Sequence, residues 1–405
     1  MILILQKLYG QSNMAKNIAL LTTSYLPIQG GVQYLLYWLL KEIDINFERY
    51  QKKFGFDNFY LITPKYKNSD FDKFANIKVV YISQPDGKLN TIRNAYLVNK
   101  IIKKNRISLI HAHHALTDGI LVFLATLFVD TKYVITSHGV DFAYNRSLNY
   151  GERLSWLKGV LIRIVSSRAN TITTVSNDMV DFVSEIVPLN KIIKIENCYE
   201  ANGERYDRQI INKVVEGLKE KYSIGNKDTV CLTLSGARKV KGHWNMLIAF
   251  ANAVKDCPNL KLFIAAHGQE TEKLKSKVCE LGLEHNVFFI GFVTGLQKQS
   301  FFELSDVYIN TAFFEPFGLV YLEAIQNDMA VLGSIYGGGK DIFKHLYSAY
   351  LSNPYKVSTI KEGLVYLSKK EHRVKLLKNA HPLLEKYSVD KILTKYFKLY
   401  QEVLK

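Results

Sequence analysis

Short apolar runs rich in strand formers alternate with amphipathic helical stretches along this chain, and the alternation stops once and then restarts. From Asn17, NIALLTTS leads into QYLLYWLLKEI, whose apolar residues recur at helical spacing. FYLIT, IKVVYI, ISLIHA, KYVITSH and TITTVS follow as strand-like runs, with LNTIRNAYLVNKIIKK and ERLSWLKGVLIRIVSS as helices among them. Residues 199–228 are strongly polar and hold no such run. The pattern then resumes with TVCLTLSG, a helix over His243–Lys255, LKLFIAA, a helix from Glu270, NVFFIGF, VYINTA, a helix near Leu319, and MAVLGS. Such alternation implies a parallel sheet, because parallel strands need a crossover that a helix supplies. Two series imply an α/β chain of two doubly wound, Rossmann-like domains facing each other across a cleft.

The length agrees, since 405 residues exceed the roughly 250–300 at which one core stops growing. The expected division is an N-terminal extension over 1–15, a first domain over 16–198, a linker with a surface helix over 199–228, a second domain over 229–385, and a C-terminal helix over 386–405. The net charge of +16 favours acidic partners. The basic residues are spread out, however, and neither zinc-finger spacing nor an RNP-like motif is found, so nucleic acid is not the expected partner. Cys198, Cys231, Cys257 and Cys279 stand far apart, which suits a reducing compartment. The longest apolar run, Gly119–Val129, falls far short of the ~20 residues of a membrane span. A cytoplasmic protein is expected. The helix over Glu152–Arg168, where Trp156 and Leu157 stand among Arg153, Lys158 and Arg163, is either packed on the core with a solvated basic face or seated on an anionic membrane surface.

Ligands of open α/β sheets bind outside the carboxyl ends of the strands. After the first strand, Gly30 and Gly31 stand where helix amides can hold a phosphate, or where an ordinary turn needs them. HAHH (His111–His114) lacks the further ligands a metal site needs, so no metal is expected. His138, in SHGVD at a strand end, either faces the cleft and meets developing charge or is a hydrogen-bonded structural histidine. In the second half, Arg238, Lys239 and Lys241 form a cation cluster in the first strand-to-helix turn, suited to a diphosphate or to plain solvation. Last comes FFEPFGLVYLEA (Phe313–Ala324). Pro316 suits a first helical position, while Gly318 costs about 1 kcal/mol inside a helix and needs another reason. The amides of Gly318, Leu319 and Val320 are expected to be free for a ligand. Glu315 and Glu323, separated by seven residues, lie about 80° apart if ~100° per residue is extended back.

E-P-F-G-L-V-Y-L-E resembles the E-x7-E signature of the retaining glycosyltransferases of family 4, which have the GT-B fold. SDVYINTAFF before it, GGGKDI (Gly337–Ile342) after it, and HAHH, SHG, TTVSNDM, KIIKIEN and NVFFIGFV extend the resemblance nearly end to end. It implies that the second domain binds a nucleoside-diphosphate sugar and the first a glycan or lipid-linked acceptor, with no cofactor and no metal. Glu323 would hold the ribose, Glu315 the transferred sugar, and Arg238, Lys241 and the amides after Phe317 the diphosphate. Gly31 would approach the diphosphate from the other domain, His138 would lie near the reacting carbon, and His113 would stand on the acceptor side. Transfer would proceed by front-face attack, with the leaving diphosphate taking the acceptor proton. Several positions depart from the pattern. Arg238 and Lys241 are three apart rather than five, which leaves Arg238 or Lys239 as the diphosphate ligand. Asn197-Cys198 replaces Asn-Gly, Asn327-Asp328 a pair of small residues, and Lys340-Asp341 Pro-Glu. The competing readings are a nucleotide-sugar epimerase on the same fold and a non-catalytic nucleotide- or polyanion-binding protein.

Overall fold

A computed structural model of the protein describes residues 16–66, 70–84, 87–200 and 206–405. The extension expected over 1–15 lies outside the described residues, as do 201–205 of the polar connection. The first series forms a seven-stranded sheet of β1 (Asn17–Leu21), β2 (Asn58–Pro64), β3 (Ile77–Ile82), β4 (Ile107–His113), β5 (Lys132–Ser137), β6 (Thr171–Thr174) and β7 (Ile192–Lys194). Its order is β3-β2-β1-β4-β5-β6-β7, parallel throughout. The second forms a six-stranded parallel sheet of β8 (Thr229–Leu234), β9 (Leu260–Ala265), β10 (Val287–Phe289), β11 (Val307–Ile309), β12 (Ala330–Ser334) and β13 (Tyr350–Ser352), in the order β10-β9-β8-β11-β12-β13. This is the two-domain, doubly wound α/β architecture expected from the sequence.

Side chains alternate across each strand, so each face collects its own core. In the first sheet Ala19, Leu21, Ile110 and Ile135 pack with Val98, Val122 and Val165 from helices Gly87–Asn105, Ile120–Ala125 and Trp156–Arg168. The opposite face carries Ile18, Leu20, Leu109 and Val134, covered by helices Gly31–Ile45 and Phe47–Phe54 and by the C-terminal helix Val389–Val403. That last helix follows the second sheet in the chain yet lies on the first. Phe397 stacks on Phe54 and Phe56 at 5.0 and 5.1 Å, and Tyr400 reaches His111 at 2.6 Å. Of the polar connection, helix Arg208–Tyr222 sits on the second sheet, where Arg208 pairs with Glu303 at 2.8 Å.

Both sheets reverse strand order once: between β1 and β4 in the first and between β8 and β11 in the second. A crevice opens at each reversal, because the connections leave in opposite directions. The loops emptying into these crevices are 22–30, 114–119, 235–242 and 310–318. They contain most of the residues singled out above.

Candidate active site

The loop after β11 places Asn310 beside Glu315 and closes on Gly318, whose φ of 86° begins helix Leu319–Gln326. The helix therefore starts at Leu319, three residues past the expected position at Pro316. A residue with positive φ cannot lie inside a right-handed helix. Extending helical rotation back to Glu315 fails for the same reason. The glycine is required twice over, since a Cβ on Gly318 would also stand 2.5 Å from the Tyr321 ring. The first intrahelical bond runs from Tyr321 N to Gly318 O (3.0 Å), so the amides of Gly318, Leu319 and Val320 precede it at the positive end of the helix.

Lys241 donates to Glu315 Oε2 at 2.8 Å, and Asn310 Nδ2 donates to the same oxygen at 3.1 Å. Both members of the ion pair are largely buried, at 13% and 14% side-chain exposure, so each fixes the other. The turn between Arg238 and Lys241 is a single 3₁₀ turn, Lys239–Lys241, closed by Gly242 at φ 71°. There a Cβ would lie 2.0 Å from Thr311 O, so the cation loop and the Glu315 loop are clamped backbone to backbone. Arg238 and Lys239 are exposed. Burial pushes the Tyr150 hydroxyl pKa up and Glu315 adds to this, while the Arg238 charge opposes it in part. Glu323 pairs with Lys298 at 2.8 Å, a partner for which the sequence offered no signal.

The two domains meet at this loop. A Cβ on Gly139 would approach Pro316 Cγ to 2.4 Å, placing the His138-Gly139 turn on EPFG. A Cβ on Gly31 would lie 3.4 Å from the Leu319 side chain, whereas Gly30, the residue before that helix, faces its own Gln33. Phe314 receives Tyr150 and Phe182 of the first domain at 5.9 and 5.4 Å. The departures at Lys340-Asp341 have a structural role here. Asp341 accepts from the Asn177 amide (2.7 Å), Lys340 pairs with Asp178 (2.5 Å), and Gly337 N donates to Asp178 (2.6 Å). The structure thus brings His138, Gly31, Arg238, Lys241, Glu315, Phe317, Gly318, Leu319 and Val320 to one region, with Glu323 one helical turn further on. Phe317 turns its side chain into the core, 5.6 Å from the Tyr387 ring, and only its backbone remains at the loop.

His113 departs from the sequence expectation: it is fully buried and cannot touch an acceptor. Its Nδ1 shares a hydrogen bond with His138 Nε2 at 3.0 Å, so it stands behind His138 rather than in the cleft. His111 lies deeper still, bonded to Thr136 and Tyr400 at 2.6 Å each. His114 carries a strained φ of 120° beside them, and Asp141 ties the two turns together by accepting from the Ala115 amide at 2.9 Å. Burial drives the His111 pKa down to about 3 and holds His113 well below the usual imidazole range. Both are neutral in the fold, while the unfolded chain protonates them near ~6.5. Their contribution to stability is therefore complete above that pH and declines below it, by about 1.4 kcal/mol per pH unit for each ring. Calorimetric midpoints should fall steadily from pH 7 to pH 5, and a flat profile would mean that these rings charge inside the fold.

Among the described residues, no three His, Cys, Asp or Glu side chains converge as metal ligands. A second hollow, lined by Lys53, Glu385, Lys386, Asp390, Lys391 and Lys395, has no strand end in its wall, so the site assignment stays with the cleft.

Known proteins resemble this chain in sequence and in fold. The family described as Glycosyltransferase Family 4 matches residues 46–201, and that described as Glycosyl transferases group 1 matches residues 215–382. N-acetyl-alpha-D-glucosaminyl L-malate synthase of Bacillus anthracis is 26% identical over 76% of this chain and 77% of its own length. Alpha-monoglucosyldiacylglycerol synthase of Acholeplasma laidlawii is 22% identical over 78% of this chain and 79% of its own. The crystal structure of Anabaena Alr3699/HepE in complex with UDP and glucose superposes with a TM-score of 0.73 at 18% identity, over 96% of this chain and all of that one.

Proposed function

Since the chain belongs to the glycosyltransferases of family 4 and group 1, with the GT-B fold, we propose that it moves a hexose from a nucleoside-diphosphate sugar onto a glycan or lipid-linked acceptor of the cell surface, retaining the anomeric configuration. The observation that carries this reading is the seating of the His138-Gly139 turn on Pro316, directly beside the Lys241–Glu315 pair. The bond between the anomeric carbon and the diphosphate oxygen breaks as the acceptor oxygen bonds to the same face of that carbon. The acceptor proton passes to the departing diphosphate. Lys241, Arg238 and the amides of Gly318, Leu319 and Val320 stabilise the charge that develops there, and these groups suffice without a divalent ion. Arg238 and Lys239 are both exposed on this turn, and Arg238 is the first to test as the diphosphate ligand because its planar guanidinium can bind the group bidentately. Glu315 addresses the sugar and Glu323 the ribose.

Uridine is the first base to test, because the HepE structure holds UDP and glucose. In a thermal-shift series with UDP, GDP, ADP and their sugars, in EDTA, one diphosphate is expected to raise the midpoint with concentration. At a hundredfold excess over Kd the gain is about 2.7 kcal/mol. Glu323→Ala should weaken that binding at least about tenfold, the worth of a charge-assisted pair of hydrogen bonds. An untouched shift would remove Glu323 from the ribose. Formation of an isomerised nucleotide-sugar without acceptor would replace the transferase by an epimerase.

A further inference from the structure

We infer that the outer face of helices Gly87–Asn105, Ile120–Ala125 and Trp156–Arg168 docks on an anionic lipid bilayer and holds the cleft of the first domain at its surface. Three large apolar side chains among the described residues exceed 80% exposure: Phe128 (89%), Leu89 (85%) and Trp156 (81%). One falls on or just beyond each of these three helices, and Ile92 and Leu157 add 65% and 60% beside them. Isolated exposed apolar residues are ordinary, but two of the three most exposed on helices of one sheet face, with the third in the turn that follows the helix between them, are not.

The helices form one layer. Asn99 Nδ2 donates to Ala125 O at 2.8 Å, and Arg168 reaches Leu127 O at 3.4 Å. Their inward residues Val98, Val122 and Val165 share one core, so Leu89, Ile92, Trp156 and Leu157 point away from the sheet, while Phe128 stands in the turn before β5 at the other end of the layer. On the last helix the core contacts come from Ile162 and Val165, while Trp156 and Leu157 lie outside, which sets aside the core-packed reading for those two. Helices Gly87–Asn105 and Trp156–Arg168 both follow strand carboxyl ends, which puts Leu89, Ile92, Trp156 and Leu157 at the cleft end of the layer.

Charge decides the occupant. Arg93, Lys100 and Arg163 are exposed between the apolar tips, and Lys158 pairs with Glu152. Lys100 stands over the Tyr96 ring at 4.6 Å, keeping the head outward with its stem on apolar surface. Single apolar tips among cations, on convex helices without a groove, suit shallow insertion between anionic headgroups. A second copy of this face would meet like charge. No helix of the described residues is long and apolar enough to cross a membrane, so the contact is with the surface. Delivery of a lipid-linked acceptor to the cleft rests on the reaction proposed above; the docking does not.

The test is co-sedimentation of the full chain with phosphatidylcholine vesicles, alone and with about one third phosphatidylglycerol. At low salt the anionic vesicles should bind at least about tenfold more protein, with the excess lost as salt screens it. Replacing Phe128, Trp156 and Leu157 together by Ala should reduce partitioning about tenfold or more while leaving the thermal midpoint and nucleotide binding unchanged. Arg93→Glu and Lys158→Glu should each reduce it about fivefold. No binding to anionic vesicles, full binding by the triple variant, or an apolar-dependent dimer in its place would overturn the inference. Intact docking with no transfer to any acceptor would instead count against the proposed reaction.

Discussion

Glu315→Gln is expected to lower kcat roughly a thousandfold while moving the thermal midpoint by only a few degrees. The side chain has two jobs that the substitution separates. It neutralises Lys241 at 2.8 Å, and it presents a fixed negative edge to the sugar. Glutamine keeps the length and can still accept from Asn310, so the loop stays in place. What disappears is the charge that holds Lys241 and faces the positive character developing at the anomeric carbon. A group acting chiefly in the transition state lowers kcat and kcat/KM together, so donor KM should change little. Glu315→Ala is a poorer test. Both variants remove the charge, but alanine also removes the acceptor that Lys241 and Asn310 share, and so mixes folding with chemistry. Steady-state kinetics on the glutamine variant decide the matter. A kcat within about threefold of the parent would put the reacting sugar away from Glu315.

The same loop shows how far the sequence could be read. Period and composition are local, and the strand-forming runs from NIALL to MAVLGS reappear as strands on two parallel sheets. β7 and β13, of three residues each, escaped the reading, whereas β10 and β11 of the same length stood out because NVFFIGF and VYINTA extend their apolar runs. The residues at strand ends were legible because parallel sheets dictate where ligands go. Gly318 was legible as an anomaly, although its φ of 86° moved the helix start beyond Pro316. Contacts made by distant segments could not be read. Nothing local ties Lys298 to Glu323, Tyr150 to Phe314 or Tyr400 to His111, because each pair is set by how the sheets and the C-terminal helix assemble. His113 illustrates the opposite error. The resemblance put it on the acceptor side, yet the turn after β5 covers it with His138, and no local pattern reports such a cover.

Gly337→Ala is expected to destabilise the fold by about 3–5 kcal/mol and to lower the thermal midpoint by about 10 °C. At this position φ is 72° and ψ −145°, a region open in practice to glycine alone. The new Cβ would stand 1.9 Å from the carbonyl oxygen of Glu315 and 2.7 Å from its carbonyl carbon. Both atoms belong to backbone, so no rotamer relieves the contact and the Glu315 loop must retreat by about 1 Å. Retreat breaks the Gly338 N–Glu315 O bond of 2.8 Å and strains the Gly337 N–Asp178 bond that spans the domains. Activity should then fall about a hundredfold in the fraction still folded, since a misplacement of that size is enough to do so. Gly55→Ala supplies the comparison. Its φ of 68° is similar, but its ψ of 43° is ordinary left-handed helix and nothing lies within 4 Å of the added carbon. Its cost should stay near 1 kcal/mol, with activity intact. Calorimetry of the two variants separates backbone strain alone from strain plus collision. Equal midpoints would mean that the Glu315 loop yields freely and that GGGKDI does not hold it.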